Sequence, residues 1–184
     1  MSYLYVYRFC SRNKDNKDVP GFKQRTKTIL GYKENESEVI ESYKDFVVKG
    51  VSGEKTRLYR SVNSRNEEKI REDLTIRLIK DKPSMTNINR ILTSVAMQNE
   101  NRDESKWLFD FDVDDEDKVE DFIDDIYFYS ELNIDSHELY KTPHGYAIVI
   151  PHGFNTIDLL EKWEDYDITL KKDNLLFIDI LANK

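Results

Sequence analysis

Between Lys106 and Phe122 the chain reads KWLFDFDVDDEDKVEDF, a run of large apolar residues broken at alternate positions by Asp110, Asp112 and Asp114. Side chains of a β-strand alternate between its two faces. Trp107, Phe109, Phe111 and Val113 therefore share one face of a strand, and Leu108, Asp110 and Asp112 the other. The apolar face must be buried against other elements, and the acidic face needs a reason to exist. Carboxylates gathered on one face repel one another unless a cation neutralises them, and hard oxygen ligands suit Mg²⁺ or Mn²⁺ rather than zinc. The plainer alternative is a strand end fraying into an acidic, solvated loop, with Asp114 or Asp115 capping the helix that follows.

A chain of 184 residues, 39% of them hydrophobic, suits one domain or one domain with a smaller appended module. The single cysteine, Cys10, excludes an internal disulfide framework and a cysteine-rich zinc site, and fits a reducing compartment. No secretory h-region and no apolar run near the ~20 residues of a membrane span is present. The expectation is a soluble cytoplasmic protein without a membrane partner. The richness in Lys, Asn, Asp, Ile and Tyr points to an AT-rich genome and the small size suits a phage, which would make this the host cytoplasm.

The net charge of −8 hides a strong asymmetry. Residues 1–102 carry 21 Lys and Arg against 14 Asp and Glu, whereas residues 103–184 carry 7 against 22. A basic half can hold a phosphate backbone while an acidic half holds metal, because backbone neutralisation needs only a local patch. Two solvated surfaces of unequal charge are the alternative.

Hydrophobic periodicity divides the chain at the polar segment Asn99 to Lys106. Residues 1–102 read as a basic α/β module. SYLYVYRF is a strand, Pro20-Gly21 ends a polar loop, and QRTKTILGY is a second strand. A helix follows over 35–50, then a strand in TRLYRSVNSRN as far as Asn63. A helix from Glu67 to Lys80 and another from Ser84 or Thr86 to Met97 complete the module. Residues 103–184 read as strand 106–113, helix 116–130, strand 136–141, the turn TPHG, strand 145–150, helix 155–164 and strand 175–181. That is βαββαβ, so the fold class is α+β: a four-stranded sheet with helices on one face, plus the smaller N-terminal module. Connection rules put Asp112 and the Thr142–Gly145 turn at one edge of this sheet. They also set the last strand antiparallel beside the first, with Asp179 on the face of Asp110 and Asp112. The motif PHG occurs twice, at Pro143-His144-Gly145 and Pro151-His152-Gly153, but the two histidines bracket one strand ~26 Å long and so cannot share a metal.

With these residues in hand, the chain resembles the archaeo-eukaryotic primase superfamily, which includes the primase-polymerases. LFDFDVD is similar to its strand-borne Asp-x-Asp, TPHG to its small-polar-x-His motif and FIDIL to its final Asp between hydrophobic residues. The resemblance spans roughly Arg57 to the C-terminus and implies an RRM-like sheet. It implies Asp110, Asp112 and Asp179 as ligands of Mg²⁺ or Mn²⁺, and His144, with Thr142 in the same motif, as the contact to an incoming nucleotide's phosphates. RLYRSVNSRN is similar to a basic strand-turn of small viral members, which implies that Arg60, Asn63 and Arg65 face nucleotide or nucleic acid. The sequence departs from the pattern in two places. Many relatives carry the histidine within the strand after a Gly-aromatic pair, where this chain has Ala147, and Asp173 competes with Asp179 for the third acid.

The function so implied is a primase-like nucleotidyltransferase, using NTPs and divalent metal on nucleic acid held through the basic half, with other replication or host proteins as further partners. A non-catalytic viral protein on the same fold is the alternative, binding nucleic acid or a host protein with its acidic half imitating phosphate. A metal-dependent nuclease is a third reading.

Overall fold

The computed structural model describes residues 2–133 and 135–184. It is mixed α+β, with two four-stranded antiparallel sheets and five α-helices among the described residues. The chain forms two compact units, one of residues 1–103 with 177–184, the other of residues 104–176.

In the first unit the strands are β1 (Leu4–Ser11), β2 (Arg25–Tyr32), β3 (Lys55–Ser61) and β8 (Leu175–Ala182), in the order β2-β1-β3-β8. Helix α1 (Glu36–Val48) packs Val39, Tyr43 and Val47 against Tyr5, Tyr7, Phe9 and Leu58. On the opposite face Leu4 and Val6 pack with Ile70 of α2 (Glu67–Asp81) and Val95 and Ala96 of α3 (Ile88–Ala96). The first half of β1 is thus buried on both sides, which explains why LYVY reads as continuously apolar rather than alternating. The start of α2 is fixed by Asn66, whose side chain accepts from the Lys69 N–H at 3.0 Å.

In the second unit the order along the chain is β4 (Trp107–Phe111), α4 (Glu116–Ser130), β5 (Glu138–Lys141), β6 (Tyr146–Ile150), α5 (Ile157–Lys162) and β7 (Ile168–Lys171). The sheet order is β5-β6-β4-β7. Phe109 and Phe111 lie on the helix side, meeting Phe122 of α4 edge-on and tilted at centroid distances of 5.4 and 5.3 Å, with Leu159 of α5 and Trp163 in the same core. Asp115 caps α4 by accepting from the Lys118 N–H at 3.2 Å, so of the two capping candidates the second serves.

One expected pairing is replaced. The strand beside β4 is not 175–181 but β7, in antiparallel register from Leu108 opposite Lys171 to Phe111 opposite Ile168. The C-terminal strand β8 instead extends the first sheet beside β3. The physical reason lies in the two sequences. ITLK is short and ends in charge, yet its alternation puts Ile168 and Leu170 with the Phe109–Phe111 core and leaves Thr169 and Lys171 on the other face. LLFIDILA is apolar at both parities, and Ile178 and Leu181 join the core of the first unit.

Candidate functional site

Asp110 and Asp112 stand where β4 ends, two residues and therefore ~6.6 Å of strand apart on one face. Asp110 is flanked by Ala147 on β6 and Thr169 on β7, and Asp112 extends the ladder, its N–H donating to the Asp167 carbonyl at 3.0 Å. The hairpin between β5 and β6 reaches this end of the sheet. The Thr142 N–H donates to the Gly145 carbonyl at 2.9 Å, and the His144 N–H donates to Thr142 Oγ1 at 3.4 Å. Gly145 is required here by close approach: a Cβ would sit 2.1 Å from the Phe111 carbonyl oxygen and 2.7 Å from the Val113 nitrogen. The turn bearing His144 is thereby pressed against the segment bearing Asp112.

Two lysines complete the surroundings. Lys171 of β7 forms an ion pair with Asp110, both partly buried. Lys141, the last residue of β5, pairs with Asp114 and lies 4.0 Å from the centroid of the Tyr146 ring. The hydrogen bond to Asp114, supported by Tyr146, raises the Lys141 ammonium above its ordinary value. Asp112 and His144 are exposed to solvent. Neither lysine was legible as a site residue: Lys171 becomes one only once 168–171 is recognised as the strand beside β4, and Lys141 only through the hairpin register.

The remaining expected site residues lie in the first unit. Asp179 is on β8, where its Oδ1 accepts from the Ile180 N–H at 2.7 Å. It does not occupy the ladder beside β4, whose two neighbours are β6 and β7. Burial first, and then the charge of Asp179, push the Tyr43 hydroxyl well above the usual tyrosine range. Arg60 is half-buried on β3, its guanidinium carbon 4.8 Å from the centroid of the Tyr5 ring. Asn63 and Arg65 are 0% and 1% exposed, and both have polar partners.

Among the described residues no three His, Cys, Asp or Glu side chains are grouped so as to hold a metal ion by themselves. Nor is any helix among them long and apolar enough to cross a membrane. Comparison with family models, with curated proteins and with solved structures finds no match.

Proposed function

We propose that this chain is a primase-like nucleotidyltransferase that takes a nucleoside triphosphate with a divalent ion at the Asp112 end of β4 and acts on nucleic acid. The observation that carries the reading is the juxtaposition at that end: two carboxylates leaving a central strand, a tight turn presenting Thr142 and His144, and two lysines within ion-pair reach. The βαββαβ order with strands arranged β5-β6-β4-β7 supports the RRM-like sheet that the reading requires.

The donor set fits the ion. Mg²⁺ commonly takes only one or two carboxylates and completes its shell with water and substrate phosphates, so a pair without a third acid suffices. Asp110 and Asp112 would hold it, and when bound it would withdraw charge from the triphosphate. Lys171 would exchange Asp110 for a phosphate oxygen, keeping one anionic partner for its ammonium. Lys141 and His144 flank the same edge and would bind the outer phosphates. Most of the rate would come from this positioning of opposite charge around the reacting phosphoryl group.

A second reading is favoured by specific observations. Ala147 lies directly opposite Asp110, where many primases carry the histidine, and lysines already neutralise Asp110 and Asp114. Both suit a non-catalytic nucleic-acid-binding protein on the same fold. Calorimetric titration of Mn²⁺, with and without a non-hydrolysable NTP, separates the two. The nucleotidyltransferase reading expects saturable binding that tightens with nucleotide and disappears in Asp112→Asn. No binding in either protein would sink it in favour of the second. Ion binding indifferent to NTP would instead favour a nuclease.

A further inference from the structure

The sheet of the first unit has one half-face that the helices of that unit leave to other groups. Leu4 and Val6 are covered by α2 and α3, but the same face continues along β1 to Arg8 and Cys10. Opposite Arg8 stand Tyr59 on β3 and Thr28 on β2, and opposite Cys10 stands Arg57. The Tyr59 ring meets Phe177 of β8 edge-on with centroids 6.0 Å apart, and the Arg57 guanidinium lies 5.9 Å from the Phe177 centroid. Two arginines of the sheet, Arg8 and Arg57, are therefore interleaved with two aromatic rings, and Arg12 follows just beyond the strand.

Their charges are not balanced. Asp15 is the carboxylate that serves them: it pairs with Arg12 at 2.9 Å and with Arg57 at 2.5 Å. Burial pushes the Asp15 carboxyl up, but the hydrogen bonds from Arg12 and Arg57 outweigh it and hold it below its ordinary value. Among the described residues Arg8 has no such carboxylate partner. Its Nε is shielded from solvent and makes no hydrogen bond among the described residues, and the Nε of Arg57 is likewise unmatched. A shielded guanidinium nitrogen without an acceptor is costly, and a planar fork of donors matches phosphate oxygens.

We infer that this half-face binds single-stranded nucleic acid, with Arg8 and Arg12 on backbone phosphates and Tyr59 stacking a base. Arginines supply the phosphate contacts and an aromatic platform supplies sequence-tolerant stacking, the combination that single strands require. A duplex would satisfy only the first, since its bases are already stacked. The inference rests on the reading of the chain as one that handles nucleic acid, and on none of its metal chemistry.

The test is fluorescence anisotropy of a labelled 12-nucleotide oligo-dT in EDTA, without NTP. Saturable binding is expected, weakening as salt rises. Arg8→Gln should weaken it about tenfold and reduce the salt slope by ~0.7 for the lost phosphate contact. Tyr59→Ala should cost on the order of tenfold through stacking. Arg12→Gln, in the loop after β1, guards against misfolding of a strand variant and should act like Arg8→Gln, whereas Lys44→Gln on α1 should bind as wild type. Absence of binding, binding unchanged in both arginine variants, or equal affinity for a duplex of the same length would overturn the inference. Because metal and nucleotide are absent, failure of the β4 site leaves this result standing, and failure here leaves the β4 site untouched.

Discussion

Glu54 is 1% exposed, yet its carboxylate is fully engaged: Oε1 accepts from Ser11 Oγ at 2.5 Å and from Arg25 at 2.6 and 2.9 Å, and Oε2 from the Val51 N–H at 3.1 Å. Burial alone would raise its pKa, but the bonds from Ser11, Arg25 and Val51 outweigh that and hold it below the ordinary glutamate value. A carboxyl whose folded pKa is depressed contributes stability that is present above its unfolded pKa, ~4.3, and lost as pH falls through the folded value. Chemical denaturation across pH ~6 to ~3 should therefore show a steeper acid loss of stability in wild type than in Glu54→Gln. The variant should also be roughly 2–3 kcal/mol less stable at neutral pH, a figure discounted for the water access of Arg25. Parallel pH profiles would contradict the assignment. At the β4 site the residue that reports most is Lys171. Lys171→Gln removes the cation competing for Asp110, so Mn²⁺ alone should bind more tightly in calorimetry while the tightening caused by NTP shrinks. A variant indistinguishable from wild type in both respects would show that Lys171 takes no part. Gly145→Ala should destabilise the protein by at least ~2 kcal/mol in thermal unfolding, because its Cβ meets backbone rather than a movable side chain.

At the scale of elements, the helices and most strands were legible because their apolar residues repeat with clear period, and the acidic strand because alternation survives in LFDFD. One failure is a missed strand, β7, and the other is the partner of the C-terminal strand. ITLK is four residues long and lies between charged segments, so neither length nor composition announces β7. FIDIL carries one aspartate among apolar residues, a pattern that fits either sheet, and register against β3 rather than β4 is a tertiary fact. The candidate site was legible to the same extent. Connection rules place Asp112 and the Thr142–Gly145 turn at one sheet edge and alternation puts Asp110 on the face of Asp112, whereas Lys141 and Lys171 enter through pairings that no local pattern reveals. The end of β8 also has a structural task. The Asn183 N–H donates to the Glu54 carbonyl, its carbonyl accepts from the Gly53 N–H, and its side chain donates to the Gly50 carbonyl at 2.9 Å. Asn183→Ala keeps the backbone bonds and loses the last, so thermal unfolding should report a loss of about 1 kcal/mol, read as ~2–4 °C in a chain of this size. An unchanged midpoint would mean that this clamp contributes nothing.

For the whole molecule the dominant fact is the division of charge. The carboxylates are concentrated in residues 103–184, with 22 acidic against 7 basic residues, and the cations in residues 1–102, with 21 against 14. A net charge of −8 would by itself oppose nucleic acid, but local cations decide binding. The two proposed sites divide the work accordingly: arginines on the first sheet for a strand's backbone, carboxylates and lysines at the end of β4 for an ion and a triphosphate. The most direct measurement of that account is incorporation of label from an α-labelled NTP into acid-insoluble product, with Mn²⁺ and a single-stranded oligonucleotide, comparing wild type with Asp112→Asn. The expected result is incorporation by wild type that depends on both ion and oligonucleotide and is abolished in the variant. No incorporation, or incorporation that survives Asp112→Asn, would contradict the account.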